Sequence, residues 1–116
     1  MAATPEAKVK AKIHKALKDA GAYAVNYIGG MYAANGTPDI LACLDGRFIG
    51  IEAKAGYNKP TGIQVLSLRK IDKAGGLALV INEKNIDYLH TCLADIHTAV
   101  HNYHPYEKIL DEANND

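Results

Sequence analysis

A chain of 116 residues with 48% apolar and 22% charged side chains has the material for one core and one domain, not for two. Its thirteen basic and thirteen acidic side chains cancel, so net charge announces no nucleic-acid partner, and any such partner must be held by a local patch. No apolar run reaches the roughly 18 residues of a membrane span and the first residues lack a signal-peptide core, so a cytoplasmic protein without a membrane partner is expected.

In chain order, Thr4 and Pro5 make a helix start, as N-cap and first helical residue, and Val9, Ile13, Ala16, Leu17 and Ala20 then recur at helical spacing up to Gly21. Residues 23–28 are aromatic and β-branched and predict a strand, followed by a glycine-containing loop over 29–38. Residues 40–44 and 47–53 flank Asp45-Gly46, the dipeptide favoured by a type I′ turn, and predict a hairpin. After a loop over 56–60, Thr61 caps a second helix that Gly75-Gly76 ends, and residues 77–81 form a short strand. Ile86, Leu89, Leu93, Ile96 and Val100 follow the spacing of a third helix. The expected fold class is α/β, a small mixed sheet flanked by helices on both faces. One domain is expected over 1–100, with a polar, weakly ordered tail over 101–116.

The hairpin poses the chemical question. With Asp45-Gly46 as the turn, Leu44 opposes Arg47, Leu41 opposes Gly50 and Asp39 opposes Glu52. Two acids become direct cross-strand neighbours, a destabilising arrangement. Side chains alternate along a strand, so Lys54 shares their side while Ala53 points away. The other hairpin positions are apolar on both faces, with Ile40, Ala42, Ile49 and Ile51 on one and Leu41, Cys43 and Phe48 on the other. A sheet covered on both sides is therefore expected, with the acids at its rim. Two readings follow. Either Asp39 caps a turn and Lys54 neutralises Glu52 as an ion pair, or the acids hold a hard divalent cation such as Mg²⁺ or Mn²⁺.

Two further polar residues occupy apolar stripes. Gln64 lies in the row of Leu68 and Ile71 on the second helix, while Arg69, Lys70 and Lys73 point outward; Glu6 lies on the stripe of Val9, Ile13 and Leu17. A buried amide needs partners, whereas an acid in a first helical turn is at home in solvent as well. Cys43 and Cys92 are too few and too distant for a disulfide framework and read as buried free thiols. His97 and His101 stand one helical turn apart among His90 and His104, but nothing supplies a third zinc ligand at the usual spacing.

Gly36-Thr37-Pro38-Asp39, twelve residues, then Glu52-Ala53-Lys54, with a glutamine-bearing helix and Lys73-Ala74-Gly75-Gly76 after them, resembles the PD-(D/E)XK nuclease signature. The context is most similar to the virus-type replication-repair nucleases, or VRR-NUC domains, over about residues 6–81. The resemblance implies a restriction-endonuclease-like core and an Mg²⁺- or Mn²⁺-dependent endodeoxyribonuclease. It implies that Asp39, Glu52 and the Ala53 carbonyl bind the metal, that Lys54 orients or deprotonates the attacking water, and that Gln64 supports the site. Glu6 matches the acid that junction-cleaving relatives carry on their first helix, and Gly29, Gly30, Met31 and Tyr32 match a glycine and aromatic loop beside the DNA. One departure is that Ala55-Gly56-Tyr57 precede Lys59 where relatives carry further basic residues.

The implied function is cleavage of branched DNA, a Holliday junction resolvase acting as a homodimer, with an origin in phages or their bacterial hosts. Leu66, outside the core-facing stripe, is a candidate for the dimer interface, and Lys59, Arg69, Lys70 and Lys73 are candidates for phosphate contacts. The competing expectations are a restriction-like nuclease of flap or linear duplex DNA, and a non-catalytic DNA-binding module of the same fold.

Overall fold

The computed structural model describes residues 3–29 and 35–102, with side chains as far as Thr98. Gly30, Met31, Tyr32, the side chains of Val100 and His101, His104 and nearly all of the expected tail lie outside the described residues.

Helix α1 (Pro5–Asp19) starts where Thr4 Oγ1 accepts the amide of Ala7 at 3.1 Å, with Pro5, which has no amide to satisfy, at the first position. Its last turn closes at Ala20, and Gly21 leaves it with φ +85°. Strand β1 (Tyr23–Asn26) is two residues shorter than the apolar run predicts. The Tyr27 amide still reaches the Asp39 carbonyl at 2.7 Å, but the next position on the neighbouring strand is Pro38, which has no amide, and the ladder ends there.

Strands β2 (Ile40–Leu44) and β3 (Arg47–Ala53) form the expected hairpin, with Leu44 opposite Arg47 and Ile40 opposite Ile51. Asp45 (φ +51°) and Gly46 (φ +82°) both take the left-handed conformation that a type I′ turn needs. Strand β4 (Leu77–Ile81) pairs parallel to β3, so the chain must cross over between them, and helix α2 (Gly62–Lys73) is that crossover. The sheet order is β1-β2-β3-β4, and α3 (Ile86–Asn102) closes the described fold.

The core lies between α1, α3 and one face of the sheet. Ile13 and Leu17 of α1, Ile40, Ile49, Ile51 and Ile81 of the sheet, and Leu89 of α3 are wholly buried there. Each such side chain contributes about 1.5–3 kcal/mol of transfer free energy.

The other face departs from the sequence reading. Helix α2 packs over β3 and β4 and has no fully buried residue. Cys43 is exposed, as are Phe48 (45%) and Tyr23 (74%), so this face is half covered and Cys43 is not a buried thiol. Cys92 is half-buried. The reason is geometric: a helix about 10 Å wide spans two strands spaced about 4.8 Å apart, not four.

Two glycines set how closely α2 approaches. A Cβ on Gly50 would lie 2.6 Å from Ile71 Cδ1 and 3.1 Å from Pro38 Cγ. One on Gly36, which has φ +79°, would lie 2.6 Å from the Ile63 carbonyl oxygen. The turn that leads into Thr37-Pro38-Asp39 is therefore seated directly on the first turn of α2.

Candidate active site

The antiparallel hairpin brings the start of β2 beside the end of β3, and the crossover helix begins just beyond that end. Asp39, Glu52, Lys54 and Gln64 meet there for reasons of connectivity alone. Asp39 is fixed by its own partner strand: Oδ2 accepts the Ala53 amide at 2.9 Å. The Lys54 amide instead goes across to the Ile81 carbonyl at 3.0 Å, which ties the ends of β3 and β4 together.

Glu52 is the sole charged residue buried among the described residues, 2% exposed. Its Oε1 accepts Gln64 Nε2 at 3.0 Å and stands 3.8 Å from Lys54 Nζ. Its Oε2 is buried with no hydrogen-bond partner. Burial, then the neighbouring Asp39 carboxyl, push the Glu52 pKa from 4.5 up to about 7; the Lys54 ammonium opposes them and the charge of Glu6 adds a little. The Asp39 carboxyl thus acts on Glu52 by proximity, although Oε2 makes no bond of ordinary geometry.

Gln64 is committed at both ends. Its Oε1 accepts the Thr61 amide at 2.9 Å, and Thr61 Oγ1 accepts the Gln64 amide at 3.3 Å, a complete capping box at the start of α2. The side chain that caps the helix is the one that donates to Glu52, so the polar residue in the apolar stripe has a partner at its oxygen and at its nitrogen.

Sequence reasoning missed Lys10. Its Nζ stands 3.7 Å from Asp39 Oδ1. Its only signal is the spacing of one helical turn from Glu6, which five other lysine and histidine positions on α1 obscure. Also missed is the clasp beyond Lys54, where the Gly56 amide donates to Glu83 Oε1 at 2.8 Å and Lys84 Nζ sits 3.3 Å from the centre of the Tyr57 ring.

The remaining candidates are dispersed. Glu6 is half-buried on α1 and reaches Glu52 only through its charge. Gly29, Lys59, Arg69, Lys70 and Lys73 are exposed, and none of these four basic residues forms an ion pair among the described residues. His97 Nδ1 lies 3.2 Å from Asp45 Oδ2 at the far end of the hairpin, and with His90 and Asp19 it lines a groove of about 380 Å³ between α1 and α3. Among the described residues no three His, Cys, Asp or Glu side chains are grouped to hold a metal, there or at Asp39 and Glu52.

A metal position at the hairpin would thus rest on two carboxylates, not three. The donor set suits a hard divalent cation: Asp39 Oδ2 takes the Ala53 amide while Oδ1 has a cation, Lys10 Nζ, at 3.7 Å, and Glu52 Oε2 is an orphaned, dehydrated oxygen that a cation would satisfy.

Among solved structures the chain is similar to one described as a VRR_NUC domain protein, with a TM-score of 0.55 and 19% identity over 82% of this chain and 89% of that one. The chain has the fold of a VRR_NUC domain protein. No family model and no curated protein matches the sequence. The VRR_NUC fold is an α/β fold of the restriction-endonuclease type, and the four-stranded mixed sheet with helices on both faces agrees with it. Among the described residues no helix is long and apolar enough to cross a membrane.

Proposed function

We propose that the chain is an Mg²⁺- or Mn²⁺-dependent DNA endonuclease that cuts branched DNA, four-way junctions above all, as a homodimer. The observation that carries this is the buried Glu52 with its orphaned Oε2, beside Asp39 and within 3.8 Å of Lys54. A folded protein keeps such an oxygen dehydrated at a cost, and an ion that binds it offsets that cost.

When bound, the metal supplies an acidified water and neutralises charge that builds on the phosphate. Asp39, Glu52 and the Ala53 carbonyl would hold it. Gln64 occupies Oε1 of Glu52 and leaves Oε2 for the ion. Lys54, held at 16% exposure with its backbone bonded to β4, orients the attacking water and places a positive charge beside the reacting phosphate. Glu6 adds a negative charge from α1. Gly29 borders the DNA, and Lys59, Arg69, Lys70 and Lys73 contact its phosphates.

Symmetric cutting of a junction needs two sites related by a two-fold axis, hence a homodimer. Leu66, 57% exposed on α2, and the uncovered half of the sheet are the apolar surface for it. A single nuclease domain over 1–100, of bacterial or phage origin, acts in the cytoplasm.

The test is cleavage of a labelled four-way junction and a matched linear duplex with Mg²⁺ or Mn²⁺, by the native protein, Asp39→Ala and Lys54→Ala. Paired nicks on the junction alone, lost in both variants, support the resolvase reading. Equal cutting of both substrates points to the duplex nuclease, and cutting that survives both substitutions means the hairpin acids are structural. A solution mass of one chain, with and without junction DNA, refutes the dimer.

A further inference from the structure

We propose that Lys10 is a displaceable counter-cation of the metal position: it neutralises Asp39 in the metal-free chain and gives way when the divalent ion enters. The inference rests on the reading of Asp39 and Glu52 as metal ligands and adds a residue that the reading does not use.

The two carboxylates are served by different lysines. Glu52 Oε1 has Lys54 Nζ at 3.8 Å, whereas Asp39 Oδ1 has Lys10 Nζ at 3.7 Å. Asp39 Oδ2 is already taken by the Ala53 amide, so Oδ1 is the oxygen left for an ion, and Lys10 is the cation that stands at it.

The two lysines are not equally free. The Lys54 side chain is 16% exposed and sits at the end of a strand, while that of Lys10 is 36% exposed on the flank of α1, with a flexible stem that leads to solvent. At 3.7 Å the Lys10 contact is an ion pair without hydrogen-bond geometry, so no directional bond holds it.

A Mg²⁺ or Mn²⁺ ion held by Oδ1 would compete for the oxygen at which Nζ now stands, 3.7 Å away. At equal separation a dication repels an ammonium with about twice the energy by which a carboxylate attracts it. Nζ cannot remain, and the ion must displace it. What the ion gives up is one part-exposed ion pair, which is enough to weaken metal binding by about two- to fivefold. In return, the metal-free acids do not face each other uncompensated on a finished fold.

The test reads metal binding, not cleavage. Mn²⁺ is titrated calorimetrically into metal-free native protein, Asp39→Ala, Lys10→Met, Lys10→Gln, Lys10→Arg and Lys15→Met, without DNA. Lys15 is a control for net charge on the same helix, since it pairs with Asp19 at 3.0 Å. The expected result is that Lys10→Met and Lys10→Gln bind Mn²⁺ about two- to fivefold more tightly than native. Lys10→Arg and Lys15→Met should bind as native does, and Asp39→Ala should bind little. Unchanged or weaker binding by both neutral Lys10 variants overturns the proposal, as does an equal gain in Lys15→Met, which would make the effect one of bulk charge. If native protein and Asp39→Ala bind Mn²⁺ equally, or neither binds it, the ligand assignment itself fails and takes the role of Lys10 with it.

Discussion

Glu52→Gln should stabilise the metal-free protein above neutrality and remove most of its pH dependence. The folded chain holds the Glu52 proton more tightly than the unfolded chain, because the pKa moves from 4.5 to about 7 on folding. At pH below 4.5 both states are protonated and burial of the group carries no charge penalty. As the pH rises toward 7 the unfolded chain releases its proton first, stability falls, and the loss is complete once the folded group also ionises. At about 1.4 kcal/mol per pH unit, the span from 4.5 to about 7 corresponds to about 3 kcal/mol. Glu52 is 2% exposed, so solvent does little to screen this, and the figure is a large part of the 5–15 kcal/mol that holds a typical domain together. A glutamine keeps the shape, still accepts from Gln64, and cannot ionise. The assay is urea unfolding in a chelator at about pH 5 and about pH 8. Native protein should lose about 2–3 kcal/mol between them, and Glu52→Gln much less. Excess Mn²⁺ at a hundred times its dissociation constant should return about 2.7 kcal/mol to the native protein at the higher pH and little to the variant. Parallel loss of stability in the two proteins would refute the reasoning, since it would mean that Glu52 titrates as it does in the unfolded chain.

Gly36→Ala should cost about 2 kcal/mol or more in the same unfolding assay, since the new Cβ meets the Ile63 carbonyl at 2.6 Å and the residue must keep φ +79°. A cost under about 0.5 kcal/mol would show that this turn can leave α2 without consequence. Thr61→Ala removes the N-cap of α2 and should cost about 1 kcal/mol; it also frees Gln64, so metal affinity should fall while Ser at the same position restores both.

The geometry of the candidate site was legible where it depends on local rules. Asp45-Gly46 alone determines the turn type, the turn determines the register, and the register places Asp39 opposite Glu52. Gln64 could be singled out because an amide in an apolar stripe must have a partner, and it has two. What stayed hidden depends on counting and on space. Nothing in the period-2 pattern of 40–53 says that a single helix must cover four strands, so the exposure of Cys43 and Phe48 was not foreseen. Lys10 looks like any lysine on a solvated helix until α1 is docked against the hairpin. The contact of His97 with Asp45 bridges 52 positions and leaves no trace in either neighbourhood. The early end of β1 was readable in principle, since Pro38 lies opposite Ile28 once the register is known.

The parallel pairing of β3 with β4 bears on how such a protein could be miniaturised. Two parallel neighbours oblige the chain to travel back along its own length, and the segment that does so begins with Thr61 and Gln64. A trimmed version that kept only the hairpin and its two acids would shed the fourth strand, the Ile81 carbonyl that anchors Lys54 and the amide on Glu52 in a single cut. Foreign sequence is better admitted at Asp45-Gly46, the opposite end of the ladder, about 20 Å along the strands from the carboxylates. The side-chain cluster is therefore transplantable only together with the turnaround of the backbone that creates it.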